Sequence, residues 1–394
     1  MASSELPLSG LRVLDLTRLL PGPFCSQILG DFGADVVKVE EPGLGDFVRI
    51  LPPFSGSESA CFLAINRNKR SIAINLKNEQ GREVARRLAR RADVLLEGFR
   101  PGVMERLGLG WESLRRENPR LIYCAITGYG QTGPYRERAG HDLNYIGYAG
   151  ILAMTGAPGG PPLPPGIQVA DMAGALYGAI GVLLALKARA RTGEGQLVDV
   201  SLLDGALSLL SLHAGAAFAG EPPRRGEAPL SGGRPNYGVY ETKDGRHLAV
   251  GAVEPKFWEA FCRAIGREDL AAQQLATGEE AARVRAEVQA AIGARTLAEW
   301  LSVFENVEAC VSPVLEIEEA LEDEQVLFRG MRRAMPHPLL GLVHTLGPVP
   351  RLEATPAELR RPPPRLGEHT DEVLGEAGYS AEEIAALRAA GAVV

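Results

Sequence analysis

The chain has 394 residues, 45% of them hydrophobic and 23% charged, with a formal net charge of −7. That length predicts two or three domains, and the composition is that of a soluble globular protein. The acidic balance excludes the domain-wide basic field with which nucleic-acid binders displace counterions from phosphate.

Taken in chain order, the start MASSELPLSG carries neither a basic cluster nor the apolar run of a secretory signal. Leu11–Thr17 reads as a short apolar strand. A helix follows the Pro-Gly-Pro at Pro21–Pro23 and ends near Gly33, before a second strand at Val36–Glu40. Ser71–Leu76 alternates as a strand should, and Asn78 is placed to cap a helix whose apolar positions Val84, Leu88 and Ala89 recur at helical spacing. Val94–Phe99 and Leu121–Thr127 are further strands, separated by a helical region after Pro101. Repeated strand–helix alternation predicts an α/β fold, a parallel sheet with helices on both faces. Met172–Leu186 is the longest near-apolar run. It falls short of a membrane span and predicts a buried helix, so neither membrane nor nucleic acid is expected as a partner.

After Gly220 the texture changes. Glu221–Pro235 is rich in Pro, Gly and Arg and reads as a linker; Tyr237–Glu241 and His247–Ala252 then flank the turn signal Asp244-Gly245. Helices are predicted at Pro255–Ile265, Glu279–Ile292 and Leu297–Phe304, a second connection around Glu316–Gly330, and a Pro-rich stretch over Pro348–Gly367. These limits divide the chain into a large Rossmann-like part (1–220), a smaller α+β part (221–315) and a last part (316–394). The five cysteines, Cys25, Cys61, Cys124, Cys262 and Cys310, contain no C-x-x-C pair, which predicts buried free thiols, no cysteine-built metal site and a cytoplasmic protein.

Gly128-Tyr-Gly130-Gln-Thr-Gly133 fits G-x-G-x-x-G after a strand, yet Pro134 and the polar Tyr135–Arg138 do not open the helix that a dinucleotide site requires. His141, in Gly140-His-Asp-Leu-Asn-Tyr145, lies in a loop beyond a parallel strand, where ligands of open α/β sheets collect, and histidine is the residue type suited to acid/base work at neutral pH. Asp171 falls at the start of a long helix. Its bland role is an N-cap; its functional one is an acid/base group beside free amides and the positive end of a helix dipole, where an oxyanion is stabilised. Arg67, Lys69 and Arg70, then Arg100 and Arg106, are candidates for a local basic patch or for solvated faces.

Several long motifs occur in one order: LSGLRVLDLTRLLPGPF, GADVVKVEEPG, NRNKRSIAINLK, LLEGFRPGVMERLGLG, PRLIYCAITGYGQTGP, GHDLNY, VGAVEPKFW and PRLGEHTDEVL. They resemble the α-methylacyl-CoA racemases within the family III CoA-transferase (CaiB/BaiF) superfamily. The resemblance implies a large domain built from both chain ends, a small domain joined by two linkers, and a homodimer of interlocked rings. It implies racemisation of 2-methylacyl-CoA thioesters by proton transfer through an enolate, with no metal and no cofactor, coenzyme A being part of the substrate. His141 and Asp171 would then be the two acid/base groups, with Glu254 orienting His141. Coenzyme A would be held by Thr17, Arg18, Lys38, Asn75, Leu76, Lys77, Gly98, Phe99, Arg100 and Arg106. Lys38 stands where many relatives carry Arg, which keeps the charge and loses the stacking guanidinium. The alternative within the same superfamily is an intermolecular CoA-transferase, in which Asp171 alone would form an anhydride and then an aspartyl-CoA thioester. Ser231-Gly232-Gly233 matches the place of the transferases' glycine-rich loop, although racemases carry glycines there too. The acyl group stays open.

Overall fold

The computed structural model describes residues 5–394. The chain forms two units, one comprising the chain up to Ala149, Gly166–Leu209 and Glu324–Val394, the other Gly150–Pro165 and Leu210–Asp323. The boundary therefore lies earlier than the composition change at Gly220, and the Gly- and Pro-rich segment 150–165 leaves the first unit.

The first unit is built on six parallel strands: β1 (Arg12–Asp15), β2 (Asp35–Glu40), β3 (Lys69–Ala73), β4 (Val94–Glu97), β5 (Ile122–Thr127) and β6 (Leu197–Ser201). Their order across the sheet is β3-β2-β1-β4-β5-β6, so the sheet reverses direction between β1 and β4. At such a reversal the connections leave to opposite sides and open a crevice beyond the strand ends. Fully buried runs such as Ile122–Thr127 explain the continuous apolar character of the strands. Sequence reasoning located five of the six. The strand β6, Leu-Val-Asp-Val-Ser, has three residues that are not buried, and its short alternation gave no signal beside the helix before it.

Helices cover both faces. α1 (Pro21–Asp31) starts with proline in its first turn, and α2 (Glu79–Ala89) is capped by Asn78, whose side chain accepts from the Gln80 amide at 2.8 Å. α3 (Asp142–Ala149), α4 (Val169–Thr192) and α5 (Leu202–Ser208) follow. At 24 residues α4 is longer than its apolar core suggested and, by length and composition, matches a membrane span. One face of it packs against α1, β5 and β6 through small residues. A Cβ on Gly178 would lie 2.9 Å from Ile126 and 3.1 Å from Cys25, so the approach requires glycine.

The second unit holds an antiparallel sheet of β7 (Tyr237–Glu241), β8 (His247–Gly251) and β9 (Val311–Pro313) with helices α6 (Pro255–Ala264), α7 (Gly278–Ile292) and α8 (Leu297–Phe304). Gly245 takes a positive φ of 73° in the hairpin, as its Asp-Gly turn requires. Trp258, Phe261, Trp300 and Phe304 fill a core of its own.

The chain then returns to the first unit with the hairpin β10 (Arg332–His337) and β11 (Gly341–Leu346) and the helices α9 (Thr370–Glu376) and α10 (Ala381–Ala389). The basic cluster makes this return. Arg67 forks onto Asp31 at 2.9 and 2.6 Å and reaches Thr345 and the Leu346 carbonyl, while Arg70 joins Asp35, Glu372 and Glu376. Both guanidinium side chains are 4% exposed, so they form neither a solvated face nor a ligand patch.

All five cysteines are free. Cys25, Cys124 and Cys262 are buried as expected, whereas Cys61 and Cys310 are exposed, which corrects the expectation of five interior thiols.

Candidate active site

Beyond the carboxyl ends of β1 and β4 the chain makes two turns, Thr17-Arg18-Leu19 and Gly98-Phe99-Arg100, and the crevice between them widens into two adjoining cavities of the first unit. The larger, about 460 Å³, is lined by Thr17, Arg18, Gly98, Phe99, Arg100, Tyr145, His141 and Asp171, among others. The second, about 350 Å³, is lined by Asn75, Leu76 and Lys77 and shares Thr17, Arg18 and Phe99 with the first. The Arg18 guanidinium sits 5.2 Å from the centre of the Phe99 ring at the junction.

The Thr17 turn is held from beneath. Lys38 has no exposed surface; its ammonium donates to the Thr17 carbonyl at 2.9 Å and meets Asp46 at 2.8 Å. Asp46 in turn accepts from the Leu19 amide at 3.0 Å, so one buried ion pair grips both sides of Arg18. This corrects the expected role of Lys38. Its charge points into the protein beneath the turn, and no part of it reaches either cavity. Asp15 lies under the same turn. Burial alone would push its carboxyl up, but Lys38, Lys69 and the hydroxyls of Ser26 and Thr17 outweigh this and hold it below the usual range. Gly22 allows the closure, since a Cβ there would fall 2.1 Å from that of Thr17. Arg106, at the end of a single helical turn, is exposed and lines neither cavity.

His141 is exposed in the turn that opens α3. Its backbone amide donates to the Asn144 side chain at 3.0 Å, and the Tyr145 hydroxyl donates to the carbonyl of Gly140. Tyr145 closes over Gly128 and Gly140, where any Cβ would strike its ring. The amides of Asp142 and Leu143, first in α3, take no partner among the described residues. Beside the turn, Arg138 lies over the Tyr135 ring at 3.8 Å and donates to the Tyr148 hydroxyl at 2.7 Å.

Asp171 is the third residue of α4 rather than its cap. The cap comes from α3: Asp142 accepts from the amides of Ala170 at 2.6 Å and Asp171 at 3.1 Å, and the Met172 amide bonds the Gln168 carbonyl. The expectation of free amides at this helix start is therefore met in part: among the described residues only the Val169 amide takes no partner there, and the Asp142 and Leu143 amides are unpaired next to His141. Burial, followed by the neighbouring Asp142 charge, pushes the Asp171 carboxyl up to about 7.

Two distant sequence positions, His141 and Asp171, thus line one cavity that also reaches Thr17, Arg18, Gly98, Phe99 and Arg100. Asp142, Asn144 and Tyr145 were not singled out from the sequence. An Asp directly after the candidate His, at a helix start, was the available signal. Glu254 belongs to the second unit, at the N-cap of α6, exposed and without a capping hydrogen bond. No group of three or more His, Cys, Asp or Glu side chains is arranged to hold a metal among the described residues.

A parallel sheet of this order, with a histidine, a carboxyl and several arginines lining a crevice beyond its switch point, is the architecture of an α/β protein with a site for an anionic ligand, and the comparisons place it more closely. The chain belongs to CoA-transferase family III, whose model matches residues 8–370. It is 40% identical over 388 residues to the alpha-methylacyl-CoA racemase of Mus musculus, covering 96% of each chain. It is 36% identical over 379 residues to the succinyl-CoA:glutarate CoA-transferase of Mus musculus, covering 95% of this chain and 87% of that one. Among solved structures, a CaiB/BaiF family protein from Brucella suis superimposes with a TM-score of 0.82 at 34% identity, covering 95% of this chain and all of that one.

Proposed function

We propose that the protein racemises 2-methylacyl-CoA thioesters by moving the α-proton between His141 and Asp171. One group removes the proton from one face of the α-carbon, leaving an enolate of the thioester, and the other delivers a proton to the opposite face, so the configuration inverts. Sulfur donates little to the thioester carbonyl, which leaves the α-proton more acidic than in an ester. The nucleotide end is assigned to the cavity of Asn75, Leu76 and Lys77. The thioester is assigned to the cavity of His141 and Asp171, with the unpaired Asp142 and Leu143 amides available to its oxygen. No metal or cofactor enters this scheme.

The observation that carries the reading is the proton affinity of Asp171. A carboxyl that titrates at about 7 exists in both forms near neutrality, as a group that must donate in one direction and accept in the other requires. The transferase alternative needs Asp171 as an ionised nucleophile. Burial beside Asp142 works against that, and the alternative gives His141 no task.

A second copy of the chain is the partner we assign, on the row Leu176, Ile180, Leu183 and Leu184 that α4 leaves exposed.

The test is to incubate one enantiomer of a 2-methylacyl-CoA in D₂O without any acceptor acid. Deuterium at the α-carbon together with loss of optical purity is expected. Turnover that appears only when a free carboxylic acid is added, without α-deuteration, would instead establish the transferase.

A further inference from the structure

Asp142 is adjacent to one proposed acid/base group and bonded to the other, although neither proposed reaction uses its carboxylate. Its carboxylate oxygen receives the amides of Ala170 and Asp171, at 2.6 and 3.1 Å, across 28 and 29 positions of sequence. The residue before α4, Gln168, supplies no capping side chain of its own. The helix that carries Asp171 is therefore started by a carboxylate from the turn that carries His141. That turn is itself fixed, through Asn144 onto the His141 amide and Tyr145 onto the Gly140 carbonyl. We propose that Asp142 is a positioning residue of this site, a strut that sets the separation of His141 and Asp171 by fastening the first turn of α4 to the first turn of α3.

The proposal rests on the reading of His141 and Asp171 as a proton-transfer pair. For such a pair the gap between base and acid must fit one carbon atom, and displacements of an ångström cost orders of magnitude in rate. Two charge-assisted hydrogen bonds, one of them short, give a stiffer link than the intervening Gly- and Pro-containing chain could. The strut has an electrostatic consequence as well. By taking the two amides, Asp142 removes from Asp171 the donors that would favour its anion, and leaves a like charge in their place. The Tyr145 hydroxyl, from the same helix as Asp142, feels the Asp171 charge as well, and Arg100 and His141 line the same cavity.

Two substitutions separate geometry from charge. Asp142→Asn keeps an oxygen that can accept both amides and deletes the charge; Asp142→Ala deletes both. The first measurement is the titration of the Asp171 carboxyl by infrared difference spectroscopy against Asp171→Asn, which needs no turnover. A midpoint near 7 is expected in the parent protein. In Asp142→Asn it should lie about one pH unit or more lower. The second is α-proton exchange in D₂O: the pH profile of Asp142→Asn should be displaced to lower pH. Asp142→Ala should lose about tenfold or more at every pH with unchanged affinity for free coenzyme A. An unmoved midpoint in Asp142→Asn, or parental exchange in Asp142→Ala, overturns the proposal. If the parent protein exchanges no α-proton, the proposed reaction falls. The infrared titration still decides the electrostatic part, and hydrogen exchange of the Ala170 and Asp171 amides in Asp142→Ala decides the strut.

Discussion

The ammonium of Lys38 lies 2.8 Å from an Asp46 carboxylate oxygen, and neither side chain has any exposed surface. Two charges are withdrawn from water here to shape a single turn. Lys38 holds the carbonyl on one side of Arg18 and Asp46 the amide on the other. Arg18 therefore stands at the junction of the two cavities without a paired carboxylate among the described residues.

Replacing Lys38 by Met leaves Asp46 charged and without a counterion in the interior. A loss of about 3–5 kcal/mol is expected, because breaking one half of a buried pair exposes the full desolvation cost of the other. Lys38→Met with Asp46→Leu should recover much of it. Urea denaturation of the single and double variants measures both. Affinity for coenzyme A should fall in each of them, since the Arg18 turn loses its anchor either way.

We assign Arg18 to the ligand rather than to the fold, since it lines both cavities. Arg18→Ala removes a guanidinium shared by both cavities, and affinity for free coenzyme A should drop about tenfold, the value of one charge-assisted hydrogen bond. Isothermal titration checks this. The unfolding midpoint should stay put, which separates Arg18 from Lys38.

Much of this was legible in the sequence, and the reason is local. The strands around Val94 and Ile122 are apolar runs, Asn78 is a capping residue at a helix start, and Asp244-Gly245 is a turn signal, so each declares itself within a few residues. Lys38, Arg67 and Arg70 misled because a charge next to a strand looks the same whether it faces water or a buried carboxylate. Their partners Asp46, Asp31 and Glu376 lie 8, 36 and 306 positions away. Asp171 was singled out from its sequence, but its neighbour Asp142 was not, because a cap supplied by a different helix leaves no mark on the sequence around the helix it caps.

His141→Gln and Asp171→Asn remove the proton-carrying function proposed for these residues while keeping size and polarity. Each should lower α-proton exchange by about 10²–10⁴-fold, the usual contribution of a general acid or base. The double variant should be little worse than either single one, because groups acting on one atom as a unit are not additive. Deuterium incorporation followed by mass spectrometry measures all three. Retained parental exchange in either single variant removes that residue from the mechanism.

Glu97, at the carboxyl end of β4, is a buried carboxyl that neither reading uses. Burial pushes it up to about 8, against the hydrogen bond it accepts from the Phe99 amide at 2.8 Å. In the unfolded chain it titrates near its ordinary value, so between roughly pH 4.5 and 8 the folded protein binds the extra proton. Its contribution to stability must then fall as pH rises through that window. Glu97→Gln keeps an acceptor for Phe99 and removes the titration. The variant should match the parent near pH 4.5 and become progressively more stable than it toward pH 8, by about 2–4 kcal/mol. Denaturation curves at a series of pH values test the slope. Parallel curves for the two proteins would mean that Glu97 is ionised in the fold.

The exposed row on α4 is the remaining expectation. A 24-residue helix that buries Ala173, Gly174, Gly178, Val182 and Ala185 on one side would ordinarily show polar residues on the other. Instead Leu176, Ile180, Leu183 and Leu184 stand between 43% and 65% exposed. Bilayer insertion would require the buried face, with Arg189 paired to Asp93 at 2.9 Å, to be torn from the sheet. Association with a second copy covers the row and leaves the fold intact. Leu183→Asp with Leu184→Asp places two charges in the middle of the row, where burial without partners costs several kcal/mol. Light scattering should then report a smaller species than the parent at equal concentration. If both proteins scatter as the same species, the row covers no subunit contact.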